Sequence, residues 1–310
     1  MVVGVSDKPI VYLDQAHFSA IARAEREGGA SDHLVLATRL HDLVGAGKIV
    51  CPYSYFHVLE TAAWAHDRNR EATVSVVGRL SKGICFRAAL EILLDELRFV
   101  VTRALLGQTE PLTRNVLGMG ADVLMSQQIP SADSGRIAEL APDAQFSAVV
   151  DWSRKVNLSP SVTNQYNRKL FEYAIRKQRS PSLVTLDAAR ARMRRGYLNP
   201  EGGARGFLAI AAQRFRLPLD VLATLFSAAR VEEMPMLAMM AEIEARRYVA
   251  FRTRPLLSDG TDDGHLDHLP YARWFLTDHR AAAIARHAGK PVGTIVLSRP
   301  RELLNALSSI

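Results

Sequence analysis

Four acidic positions stand where a parallel sheet would gather them. Asp14 follows the apolar run Ile10-Val11-Tyr12-Leu13, and Glu60 lies in the segment after a second run, Ile49-Val50-Cys51. Asp262 or Asp259 precedes a third run, Ala272 to Thr277, and Asp278 ends it. In an open parallel sheet the carboxyl ends of the strands share one edge, so acids remote in sequence converge there. Carboxylates a few ångströms apart repel one another, and a hard divalent cation with oxygen preference relieves that repulsion, which makes Mg²⁺ or Mn²⁺ the matching ions. A second chemistry is equally open to the same residue type: an Asp just past a strand commonly caps the helix or turn that follows.

The elements that must position these acids have α/β grammar at both ends of the chain. After Asp14, Phe18 to Ala24 predicts a helix broken at Gly28 and Gly29. A second helix starts at the N-cap residue Ser31, with Leu34, Val35, Leu40, Leu43 and Val44 as its apolar stripe. Tyr53 to Trp64 predicts the helix that carries Glu60. Near the other end, Arg280 to His287 and Arg299 to Leu307 predict helices on either side of a strand at Thr294 to Leu297. Short apolar strands each followed by a helix imply a parallel sheet with crossover helices.

Residues 66 to about 250 have helical periodicity, with long stretches at Ile84 to Leu106, Asn167 to Arg179, Leu183 to Arg195 and Leu219 to Val231. Pro111, a turn at Gly118-Met119-Gly120, and Pro130, Pro142, Pro160, Pro181, Gly202-Gly203 and Pro218 punctuate them. The expected organisation is an α/β core made of residues 1–65 and 255–310, interrupted by an all-helical insertion at 66–254. Met234, Met236, Met239 and Met240 predict helix packing rather than metal or redox work.

Composition narrows the classes. The chain has 310 residues, 48% hydrophobic and 23% charged, enough for a substantial core. Its formal charge is +7, carried by 32 Arg and 7 Lys against 32 acids, a bias toward planar guanidinium groups that suit phosphate. Cys51 and Cys85 are too few for a disulfide framework or a cysteine-rich zinc site, and with no signal-like start they predict a cytoplasmic location. Charges throughout Ile84 to Leu106 make it amphipathic rather than a membrane span. No Gly-x-Gly-x-x-Gly, no Gly-x-x-x-x-Gly-Lys-Ser/Thr and no Gly-x-Ser-x-Gly motif supports a dinucleotide, P-loop or α/β-hydrolase site.

Taken in order, Val11-Tyr12-Leu13-Asp14-Gln15, Cys51-Pro52-Tyr53-Ser54 leading to Glu60, and Asp259-x-x-Asp262-x-x-His265 followed by Leu269-Pro270-Tyr271 and Leu276-Thr277-Asp278 resemble the PIN domain superfamily of metal-dependent nucleases. The resemblance covers about 110 residues at the two ends and is nearer to larger PIN-like proteins with an aspartate-x-x-histidine signature. It implies a three-layer α/β/α sandwich with a parallel sheet, an acidic Mg²⁺ or Mn²⁺ site and endoribonuclease activity. The catalytic acids it implies are Asp14, Glu60, Asp262 and Asp278, with Asp259 as an accessory or alternative ligand and His265 and Thr277 in support. Asp14, Asp262 and Asp278 would hold the first ion, and Glu60 would support it or recruit a second. Arg273 stands where similar proteins often carry another acid.

Capture of RNA by an acidic centre needs basic surface elsewhere. Arg168 to Arg195 holds nine basic residues against two acids, and Arg190, Arg192, Arg194 and Arg195 are the candidate RNA contacts; a solvated helix face is the competing expectation. The expected partners are therefore RNA, with an inhibitory or complex-forming protein or a second copy as further partners, and no membrane. A different class stands beside the nuclease on RNA or DNA: a catalytically weak PIN-like scaffold that binds RNA or a protein.

Overall fold

The computed structural model describes residues 8–28, 31–64, 66–107, 116–127, 131–155, 185–202, 204–230, 233–250 and 259–310. The expected helix at Asn167 to Arg179, with Pro160, Pro181 and Gly203, lies outside them. The architecture is mixed α/β: a small parallel sheet flanked by helices, with a large helical region inserted in the chain. Two compact units emerge, Met1–Ala88 with Val116–Glu172 and Leu256–Ile310, and Ala89–Asn115 with Tyr173–Pro255.

In the first unit the chain runs through β1 (Val11–Leu13), α1 (Gln15–Glu27), α2 (Asp32–Gly45), α3 (Tyr55–Ala63), α4 (Asp67–Ser81) and β2 (Ile84–Phe86). In the second unit α5 (Ala89–Leu106) comes next. The first unit resumes with β3 (Leu117–Met119), α6 (Ser131–Ala138) and α7 (Pro142–Lys155). The second unit continues with α8 (Leu186–Tyr197), α9 (Arg205–Phe215), α10 (Leu219–Ser227) and α11 (Pro235–Ala250). The chain then closes the first unit with α12 (Asp259–Leu266), β4 (Trp274–Leu276), α13 (His279–Gly289), β5 (Ile295–Leu297) and α14 (Pro300–Leu307).

The parallel sheet has the order β1-β4-β5. Val11 pairs with Trp274 and Leu13 with Leu276, while Leu276 pairs with Leu297, so the strands end together at one edge. Ile49-Val50-Cys51, expected as a strand, contributes a single parallel bridge from Val50 to Ile10. All three residues of β1 and of β4 are buried, because helices cover both faces of a parallel sheet and leave no solvated side to alternate toward. Ser31 caps α2 by accepting the Leu34 amide, as its position predicts.

The expected helix at Ile84 to Leu106 is instead a strand and a helix. Ile84-Cys85-Phe86 pairs antiparallel with Leu117-Gly118-Met119, so that Gly118 and Met119 of the expected Gly118-Met119-Gly120 turn belong to a strand that ends at Met119. Gly83, at a φ of +74°, makes the left-handed step that frees Ile84 from α4. Helix α4 packs on α1 and α7, so residues 66–88, expected in the insertion, cluster with the α/β unit.

The second unit has its own apolar core, in which Leu94, Leu97 and Val100 of α5 meet Leu208, Leu222, Phe226 and Met234. Glu91 accepts Arg214 at 2.8 Å, and Glu96 accepts the Met236 amide at 3.0 Å, so buried acids of α5 are answered within the unit. Met236 and Met239 are also buried.

Candidate functional site

The parallel register fixes the first cluster. With Leu13 opposite Leu276, Asp14 leaves its strand beside Thr277 and Asp278, and its amide donates to the Leu276 carbonyl at 3.0 Å. Asp14 Oδ2 accepts the Thr277 hydroxyl at 2.6 Å and the Asp278 amide at 2.9 Å, while Oδ1 accepts the His17 amide at 3.2 Å as the N-cap of α1. Asp278 turns the other way. Its Oδ1 accepts the Arg280 and Ala281 amides at 2.6 and 2.9 Å, capping α13. Both aspartates thus satisfy donors that a helix start leaves without partners.

The second cluster is a buried hydrogen-bonded chain. Glu60, on α3, places Oε2 3.2 Å from His265 Nε2 on α12; His265 Nδ1 lies 2.5 Å from the Tyr12 hydroxyl; that hydroxyl is 2.7 Å from Ser54 Oγ. Ser54 Oγ in turn lies 3.2 Å from His57 Nδ1, and His57 Nε2 lies 2.8 Å from the Leu13 carbonyl. The Ser54 amide donates to His57 Nδ1 at 2.9 Å, so this nitrogen carries no proton and Nε2 is the donor to Leu13. Gly264 lets α12 approach this closely, since a Cβ there would fall 2.0 Å from the Phe56 ring.

Charge is distributed unevenly along the chain. Burial works against protonation of His265, but the hydrogen bond and charge of Glu60, with the charges of Asp14 and Asp262, outweigh it and raise its pKa above the ordinary imidazole value. Burial first, then His265, holds His57 well below that value, against the pull of the Leu13 carbonyl. Burial also raises the Tyr12 phenol well above its usual value, so it keeps its proton. A proton on His265 Nδ1 points the phenol toward Ser54, and its loss turns the phenol back toward His265. The arrangement can reorient a row of buried hydroxyls.

Of the sequence-derived candidates, Asp14, Thr277 and Asp278 come together, and so do Glu60 and His265. Asp262 stands one turn before His265 on α12 and acts on it through charge. The side chain of Asp259 lies outside the described residues. Arg273 precedes β4, at the strand end opposite Asp278, with its guanidinium over the Trp274 ring at 5.9 Å.

These positions do not form the expected metal centre. Among the described residues no group of three or more His, Cys, Asp and Glu side chains is placed to hold a metal ion. The Mg²⁺ or Mn²⁺ site, and with it the metal-dependent endoribonuclease, hydrolase and DNA-nuclease expectations, is corrected accordingly. The physical reason is occupancy: the Asp14 oxygens serve three donors, the Asp278 oxygen serves two amides, and Glu60 is held by an imidazole. Capping, the competing chemistry of an Asp at a strand end, accounts for Asp14 and Asp278.

Sequence reasoning missed Tyr12 and His57. Tyr12 reads as one more apolar strand residue, and only its hydroxyl, meeting groups 42 and 253 positions away, reveals its part. His57 had a local signal, three residues after the N-cap Ser54.

On α8, Arg190 is held by Glu242 through two 2.7 Å hydrogen bonds and by Asp187 at 2.9 Å, whereas Arg192, Arg194 and Arg195 are exposed. The remainder of the expected basic track, Arg168 to Arg179 with Tyr173, lies outside the described residues. Among the described residues no helix is long and apolar enough to cross a membrane. No protein-family model, no curated protein and no solved structure matches the chain.

Proposed function

We propose that the protein is a PIN-like scaffold that binds RNA without metal-dependent cleavage. The observation that carries this reading is where the charge lies: the acids at the sheet edge are consumed by internal hydrogen bonds, while α8 exposes three arginines, Arg192, Arg194 and Arg195, within four residues of one another. Exposed guanidinium groups contact phosphates and release counterions, which gives affinity without chemistry at the bond. Ala189 and Met193 anchor α8 on Ala241 and Ala245 of α11, so the arginine face is presented by a packed helix. Cys51 and Cys85 are buried free thiols, which fits a reducing, cytoplasmic setting.

The test is binding of single-stranded RNA across a salt series by the wild-type chain and by an Arg192→Gln/Arg194→Gln/Arg195→Gln variant. Loss of three phosphate contacts should flatten the slope of log affinity against log salt by about 2. An unchanged slope and affinity would remove RNA from the reading and leave a protein-binding scaffold.

A further inference from the structure

The first unit contains a cleft that the sheet-edge clusters do not use. It lies between α1 and the start of α4, has a volume of about 400 Å³, and includes Arg23, Arg26, Trp64, His66 and Asn69 in its wall. That volume is near the low end of the roughly 300–1,000 Å³ range of small-molecule sites, room for one small planar ligand.

The chemistry of the wall is one-sided. Arg23 and Arg26 are one turn apart on the same face of α1, and none of the residues lining the cleft is an acid. Arg26 is oriented by Asn69, whose Oδ1 accepts Nη1 at 2.7 Å; its contact with exposed Glu27 is longer, 3.4 Å. Arg23 is exposed and makes no ion pair or hydrogen bond among the described residues. Ala22, Ala63 and Ala72 supply small apolar surface to the lining, which also holds the half-buried Trp64. Two forked cations bind a phosphate, and an indole among small apolar side chains accepts a flat aromatic ring.

We propose that this cleft binds a nucleoside monophosphate, with its phosphate on Arg23 and Arg26 and its base against Trp64. The inference stands apart from the RNA reading, since it uses a different unit and a different set of arginines. A phosphate joined to a base could also arrive as the 5′ end of an RNA chain, and the experiment separates the two sources.

The full chain would be titrated calorimetrically with adenosine monophosphate, inorganic phosphate, adenosine and a short 5′-phosphorylated oligoribonucleotide. The expected result is saturable binding of the monophosphate, at least tenfold weaker binding of phosphate or adenosine alone, and a tenfold or greater loss in Arg23→Gln and in Trp64→Leu. The Arg192→Gln/Arg194→Gln/Arg195→Gln variant should bind the monophosphate as the wild type does, whatever becomes of its RNA binding. Arg23→Gln changes an exposed side chain, so it keeps the test valid if Trp64→Leu fails to fold. No saturable binding at millimolar monophosphate, or binding indifferent to Arg23, would overturn the proposal. Arg23-dependent binding of the oligonucleotide alone would overturn it in favour of an RNA end.

Discussion

The edge of the parallel sheet and the outer face of α8 are both rich in charge, and they use it in opposite ways. At the sheet edge Asp14 meets a hydroxyl and two amides within the fold, and Glu60 meets a buried imidazole. On α8 Arg190 is engaged in that manner, by Glu242 and Asp187, while Arg195, five residues along, is exposed to solvent. A cluster of one charge sign therefore says little about function until the hydrogen bonds of each group are counted. The groups that fold the chain and the groups that remain available to a partner can share a residue type, as Arg190 and Arg195 do.

The sharpest way to break this contrast is Asp14→Ala. If Asp14 is an organiser, its loss leaves the buried Thr277 hydroxyl and the Asp278 amide without acceptors, and chemical denaturation should show a loss of about 3 kcal/mol. A neutral or stabilising outcome would mark it as a strained site residue and undo the comparison. Tyr12→Phe should cost about 1–2 kcal/mol, because it strips one partner each from His265 Nδ1 and Ser54 Oγ while filling nearly the same space.

Acid titration tests the interior of the same cluster. Burial against Tyr12 and Phe86, then the charge of His265, pushes the His268 pKa down to about 3, against roughly 6.5 in an unfolded chain. Its contribution is therefore complete above pH 6.5 and is lost as the pH falls toward 3. His265 has the opposite sign: with its pKa raised, its contribution is full below about 6.5 and fades as the pH rises through the folded value. Unfolding measured from pH 4 to 7 should show the wild type gaining stability relative to His268→Phe as the pH rises, because the variant lacks the His268 contribution. A slope that persists unchanged in the variant would assign the acid sensitivity elsewhere.

The smallest effects sharpen the other half of the comparison. Arg190→Gln should cost about 1 kcal/mol, since a half-buried bidentate pair with Glu242 is lost, whereas Arg195→Gln should stay within about 0.5 kcal/mol. Equal costs for the two would mean that α8 does not divide its arginines as described.

Much of the frame was legible because it is written locally. The apolar run before Asp14, the cap at Ser31 and the Leu276-Thr277-Asp278 ending each carry their signal within a few residues. The β2–β3 pair was not legible: three-residue strands have too little periodicity to outweigh the helical stretch that follows Ile84, and Leu117-Gly118-Met119 looks like a turn without its partner. Asp14 and Asp278 stand at the ends of their strands, as the apolar runs before them predict, but convergence of the candidate acids on one ion was not encoded in spacing. What decides it is which donors reach each oxygen, and those arrive from Thr277, His265 and backbone amides far away in sequence.

The pairing of β1 with β4 also sets the order in which the chain can fold. Asp14 and Thr277, which meet across that pair, are 263 positions apart, and closing so long a loop costs on the order of 5 kcal/mol of chain entropy before any sheet contact repays it. A ribosome must therefore deliver nearly the whole chain before Val11–Leu13 can find its parallel neighbour, while the helices between can form as they emerge. Until then β1 is an apolar strand with an open edge, the segment of a nascent chain that a chaperone would have most reason to cover.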